Sequence, residues 1–130
     1  NESKALITYL ESNFKNKKWI CHLDLHETTD TDETEFRPAR AAEAGKEYVP
    51  DSIPDGFYLV ANSKNPQKPW HAAIIDSVQK VTHIAPPDDD GNIIGEHMTQ
   101  EGVIEVDVKQ WGLCMSVVDA DFATTTEVYP

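Results

Sequence analysis

Basic side chains are scarce: the 130-residue chain sets 11 Lys and Arg against 23 Asp and Glu, a formal net charge of −12. Such an excess repels phosphate backbones and anionic lipid, and no run of Lys or Arg is long enough to make a local exception. Nucleic acid and membrane surfaces are therefore poor partners for it. Long apolar runs are lacking as well, and the stretch over 112–118 falls far short of the roughly 20 residues that cross a bilayer. Cysteine is limited to Cys21 and Cys114, each inside an apolar run where an unpaired thiol behaves as a small buried hydrophobe. Two such residues do not fix a redox compartment. No phosphate-cradling glycine loop, no Gly-x-Ser-x-Gly and no internal repeat occurs.

What is present suffices for one folded domain, since 39% of the residues are apolar and 26% charged. Leu6, Leu10 and Phe14 recur at four-residue spacing with Ile7 beside them, which predicts an amphipathic helix over 3–14. Residues 19–26 alternate, with Cys21, Leu23 and Leu25 on one face of a strand and His22, Asp24 and His26 on the other. A long acidic loop is expected over 27–55, broken by a helical turn or two near Ala41 to Gly45. Gly56 to Ala61 is the next strand, and Pro69 to Val81 a helix with Trp70, Ile74, Val78 and Val81 on one stripe. Pro86 to Asn92 is a turn. Strands are expected over 103–108, 112–118 and 122–129. Alternating helices and strands predict an α/β fold, a mixed and mostly parallel sheet with helices packed on it. The chain opens at Asn1 and closes at Pro130 directly after β-formers, which predicts a piece of a longer protein.

Two short constellations carry chemistry. In Asp24-Leu25-His26-Glu27-Thr28-Thr29, a His at a strand end follows an Asp on the same face, an arrangement in which imidazole binds a metal while a carboxylate tunes it. A polar strand end with a merely hydrogen-bonded His is the plainer alternative, and His22 could join the same face, although same-face side chains on one strand diverge. In Thr124-Thr125-Thr126-Glu127, a lone carboxylate inside a β-rich strand suits general-base work if its pKa is raised; an outward-facing Glu is the alternative. The only arginines, Arg37 and Arg40, follow the first motif, where a guanidinium fork could meet a substrate carboxylate or simply pair with the surrounding acids. The acid runs Asp30 to Glu33 and Asp88 to Asn92 do not continue into a calcium loop.

Taken in order, the two motifs resemble the later half of the catalytic domain of the zinc carboxypeptidases, in the bacterial branch near the aspartoacylase and succinylglutamate desuccinylase group. The resemblance implies a carboxypeptidase-like sheet, a zinc cofactor with His26 as a ligand, Glu127 as general base, and Asp24 in support behind His26. It implies hydrolysis that removes a C-terminal amino acid from a peptide. An amidohydrolase acting on N-acyl amino acids is the neighbouring alternative, and a non-catalytic acidic binding module the distant one. The family's early His-x-x-Glu ligand pair is absent: the residues three after His22, His26, His71, His83 and His97 are Leu25, Thr29, Ile74, Pro86 and Gln100. The resemblance therefore implies that residues 1–130 are the C-terminal portion of one catalytic domain. A companion chain or segment would carry the other ligands, and this chain alone would be inactive.

Overall fold

Phe57-Tyr58-Leu59-Val60-Ala61 is a continuous run of β-forming apolar residues, and a strand apolar on both faces must be covered on both. In the computed structural model, which describes residues 2–50 and 53–129, it is the core of β2 (Gly56–Asn62). Asn1 and Pro130, on which the reading of the two ends rests, and residues 51 and 52 of the predicted loop lie outside the described residues. The other strands are β1 (Trp19–Leu25), β3 (Asn92–Ile93), β4 (Glu96–Gln100), β5 (Val103–Val106) and β6 (Ala120–Tyr129), and the sheet order is β1-β6-β2-β5-β4-β3. The last strand thus enters between the first two. Parallel pairing joins β1 to β6 and β2 to β5, whereas β6–β2, β5–β4 and β4–β3 are antiparallel. The α/β expectation holds, and the sheet is mixed. Parallel pairing is not the majority, because short connections fold β3, β4 and β5 back on one another.

Among the described residues four α-helices accompany the sheet: α1 (Glu2–Phe14), α2 (Arg37–Glu43), α3 (Lys68–Val78) and α4 (Val108–Trp111). On one face of the sheet Tyr58, Val60, Ile104 and Val106 bury against Ile93, Val108 and Met115. On the other, Leu59, Ala61 and Val103 bury against Ile75 of α3. The expected stripe on α3 is displaced by one position, since His71 and Ile75 face the sheet and Val81 lies past the helix end, 85% exposed. Gly56 admits no side chain at the start of β2: its φ is +124°, and a Cβ would stand 2.7 Å from the Ala85 nitrogen. That close approach lets the 83–85 segment bond along β2, with Phe57 N donating to His83 O and Ala85 N to Phe57 O.

Two expectations are corrected. Residues 112–118 form no strand. Gly112 ends α4 in the left-handed conformation, and a 3-10 turn follows over Cys114–Ser116, closed by the Ser116 amide and hydroxyl on Leu113 O. An apolar run without period leaves strand and turn undecided, and Ser116 settles the matter by bonding locally. The apolar face of β1 is not the covered one: Leu23 and Leu25 are 48% and 79% exposed, while His22 and Asp24 are half-buried. No residue of α1 is buried either. α3 covers β2 and β5, so among the described residues this end of the sheet lacks a layer on that side.

Burial therefore sorts two chemically alike leucines. Leu59→Ala is expected to lower unfolding free energy by about 2–5 kcal/mol, and Leu25→Ser by less than about 0.5 kcal/mol; urea titrations of both check it. His71 is 1% exposed and its Nε2 has no hydrogen-bond partner among the described residues. Burial pushes its imidazole below the ordinary value of 6.5, against a smaller upward pull from Glu105. As pH falls through that ordinary value the unfolded chain takes up a proton that the folded chain does not, so stability falls. Urea midpoints measured from pH 7.5 down to 5.5 should drop, and His71→Leu should flatten the slope.

Candidate active site

Backbone pairing carries β1 past its last ladder residue: His26 N donates to Thr126 O and Thr28 N to Val128 O, both at 3.0 Å. Parallel strands advance in step, so side chains at matched positions share a face. Asp24 stands opposite Thr125 and Leu25 opposite Thr126, which sets His26 opposite Glu127. Across the other edge of β6, antiparallel pairing sets Tyr58 opposite Glu127. His26, Glu127 and Tyr58 thus form one row across three strands. They line a cavity of about 140 Å³ whose remaining walls are Glu27, Thr28, Asp32, Arg37, Ile53 and Ile94.

Glu127 is half-buried, with its Oε2 accepting from the Thr28 hydroxyl at 3.0 Å. The same hydroxyl oxygen lies 3.0 Å from the phenol of Tyr58, which is 1% exposed. Burial pushes the Glu127 carboxyl above the ordinary carboxylate range; the Thr28 bond and the charge of His26 act against this, and Asp32 and Asp24 add to it. A carboxyl so placed holds a proton more readily than an exposed one, as a general base must. Burial also pushes the Tyr58 phenol well up, so that it stays a neutral hydroxyl. In the preceding row, Asp24 Oδ2 accepts from Thr125 Oγ1 at 3.1 Å. The Cys114 thiol, raised first by burial and then by the charge of Asp24, lies close by.

About half of the segment expected as loop is helical, over 30–43. Asp32 makes half of a capping box, its carboxylate accepting from Thr29 N at 2.7 Å. From there a helical path runs through a wide turn over Asp32–Phe36 into α2. The Thr-x-x-Asp spacing was the available signal; it is obscured because no apolar periodicity follows it. The Tyr129 hydroxyl donates to Asp30 and ties this path to β6. It carries Arg37 to the cavity wall, whereas Arg40 lies over the Trp111 ring, 5.7 Å from its centroid. The two arginines therefore face different surroundings.

Ile94 reaches the cavity from a hairpin that the sequence does not announce. β3 and β4 are joined through Ile94 and Gly95, both at positive φ, 48° and 80°. An Asn-Gly pair would have signalled such a turn, and a β-branched residue rarely occupies its left-handed position. A larger cleft of about 780 Å³ lies at the far end of β6. Its charges are matched, Lys64 with Asp107, Lys109 with Asp119 and Asp121 with Lys18, and neither chemical motif reaches it.

Among the described residues, no group of three His, Cys, Asp or Glu side chains is placed to hold a metal ion. His22, Asp24 and His26 share a face without converging, and His22 Nδ1 is buried without a partner among the described residues. No protein-family model matches this chain, and no curated protein matches it.

The raised Glu127 carboxyl has a direct consequence for stability. Its folded-state preference for the protonated form is a contribution present at low pH and lost as pH rises above the ordinary value of 4.5. Glu127→Gln removes the buried charge and keeps an acceptor for Thr28. The variant should show a higher denaturation midpoint than the wild type at pH 7, with the difference closing by pH 4.

Proposed function

We propose that this chain carries the general-base half of a zinc-dependent hydrolase of metallocarboxypeptidase type, which removes a C-terminal amino acid from a peptide. The observation that supports it is the cross-strand row: residues from two motifs about a hundred positions apart, His26 and Glu127, stand on adjacent strands at one cavity. Thr28 and Arg37 line the same space.

A catalytic zinc takes three protein ligands and keeps one position for water. The described residues offer His26 and no three-group cluster, so the described side chains do not by themselves make up such a shell. On this proposal the remaining ligands belong to a companion chain or segment, residues 1–130 are the C-terminal portion of the catalytic domain, and the chain by itself is inactive. When bound, such an ion polarises a carbonyl and acidifies a water.

The residues present divide the remaining work. Glu127, raised by burial, takes the proton of the attacking water and returns it to the leaving amine nitrogen as the amide bond breaks. Arg37, with its planar fork of donors, suits a carboxylate on the substrate. Asp24, whose carboxyl is held by the Thr125 hydroxyl, stands two residues before His26 on the same strand face.

The test is Glu127→Gln in the full-length protein, with zinc content measured by elemental analysis on the same preparation. General-base removal should lower kcat by about 10²- to 10⁴-fold with zinc retained. Full hydrolysis of C-terminally free peptides by that variant would sink the proposal. Cleavage of N-acyl amino acids in preference to peptides would move it to the amidohydrolase class, and no hydrolysis of either by the wild type would leave an acidic binding module.

A further inference from the structure

Glu127 needs more than a raised carboxyl to act on a water, because the terminal torsion of a Glu side chain is broad and roughly two-fold. A carboxylate free to swing about it presents its lone pairs in many directions. Three facts restrict the swing. Thr28 is held by its own amide on Val128 O at 3.0 Å, its hydroxyl donates to Glu127 Oε2 at 3.0 Å, and the Tyr58 hydroxyl lies 3.0 Å from the same Thr28 oxygen.

The direction of this chain of hydrogen bonds follows from counting protons. Threonine has one hydroxyl hydrogen, and an ionised carboxylate only accepts. With Glu127 ionised, the Thr28 hydrogen is committed to Oε2, so the remaining contact is Tyr58 donating to Thr28. Tyr58 can serve in this way because it sits opposite Glu127 in the β2–β6 ladder and is 1% exposed, which leaves its hydroxyl no solvent to turn to. Its ring is packed in the core cluster with Val60 and Ile104. The rotor of Thr28 is thus fixed from behind by a rigid aromatic and from below by backbone pairing.

We propose that Thr28 and Tyr58 are a positioning pair for the general base: Tyr58 fixes the Thr28 hydroxyl, which fixes the plane of the Glu127 carboxylate through Oε2 and leaves Oε1 to meet the water. The inference rests on Glu127 being the base. Neither residue touches the reacting atoms; both act through Glu127.

The experiment compares Thr28→Val, Thr28→Ser and Tyr58→Phe with Glu127→Gln in the full-length zinc-loaded protein, measuring kcat and KM separately. Thr28→Val keeps the shape and removes the donor. It should lower kcat about tenfold or more with KM within about twofold, the pattern of a lost transition-state alignment. Thr28→Ser restores the hydroxyl and should recover kcat to within about threefold of the wild type. Tyr58→Phe should lower kcat by a smaller factor in the wild-type background and by nothing further in Thr28→Val, since its effect passes through that hydroxyl. Should Tyr58→Phe fail to fold, the Val and Ser pair at position 28 decides the matter. Unchanged kcat in Thr28→Val, or a Ser variant as slow as the Val one, overturns the positioning role while a dead Glu127→Gln leaves the base in place. An active Glu127→Gln overturns both.

Discussion

Strand β6 pairs with β1 on one side and β2 on the other, and its two registers decide what the chain can do. Parallel pairing in step with β1 brings His26 beside Glu127, and antiparallel pairing with β2 brings Tyr58 to the opposite side of the same carboxylate. A slip of one residue in either ladder would turn Glu127 to the other sheet face. The registers are pinned by burial: Leu59 and Ala61 must meet Ile75 on one side while Tyr58 and Val60 meet Ile104 and Met115 on the other. The same packing that keeps β2 in the centre of the sheet holds the candidate base in its cavity.

Several threonines within this frame are satisfied along the strands, while His22 Nδ1 on β1 is buried without a partner among the described residues. Thr125 donates to Asp24 and Thr28 to Glu127, while Thr124 donates to Val60 O within the sheet. This allows charged groups on a half-buried sheet face, where an unpaired carboxylate would be strongly unfavourable. Residual imbalance remains at Glu127, whose burial outweighs its hydrogen bond. A protein whose only requirement was stability would place a neutral residue there.

The layer beneath β1 is organised differently from the rest. α3 closes the sheet over β2 and β5, whereas Leu23 and Leu25 face outward and α1 buries none of its residues. α1 meets β1 through aromatic edges, Phe14 against Trp19 with centroids 5.7 Å apart. The half of the sheet nearest His26 is thus the half with least apolar cover, and among the described residues no group of three His, Cys, Asp or Glu side chains gathers there. Both features fall on the same strand.

Amphipathic periodicity in α1, the apolar run of β2, Pro69 at the start of α3 and the β-rich tail of β6 were legible in the amino-acid order, because each reports a local preference acting within a few residues. The two chemical motifs were legible for the same reason, since His26 and Glu127 each stand out against their neighbours. Their adjacency was not, because it depends on β6 crossing the whole chain to lie beside β1. That Arg37 and not Arg40 lines the cavity follows from a helical path started at Thr29 and Asp32, and the place of Ile94 from a hairpin with an atypical turn residue. Tyr58 and Thr28 look like an ordinary core aromatic and an ordinary loop threonine until pairing sets them around one carboxylate. Composition and local pattern determined α1, β2, α3 and β6 and which side chains could do chemistry. Strand order and register, which arise from long-range burial on both sheet faces, decided which of those side chains meet.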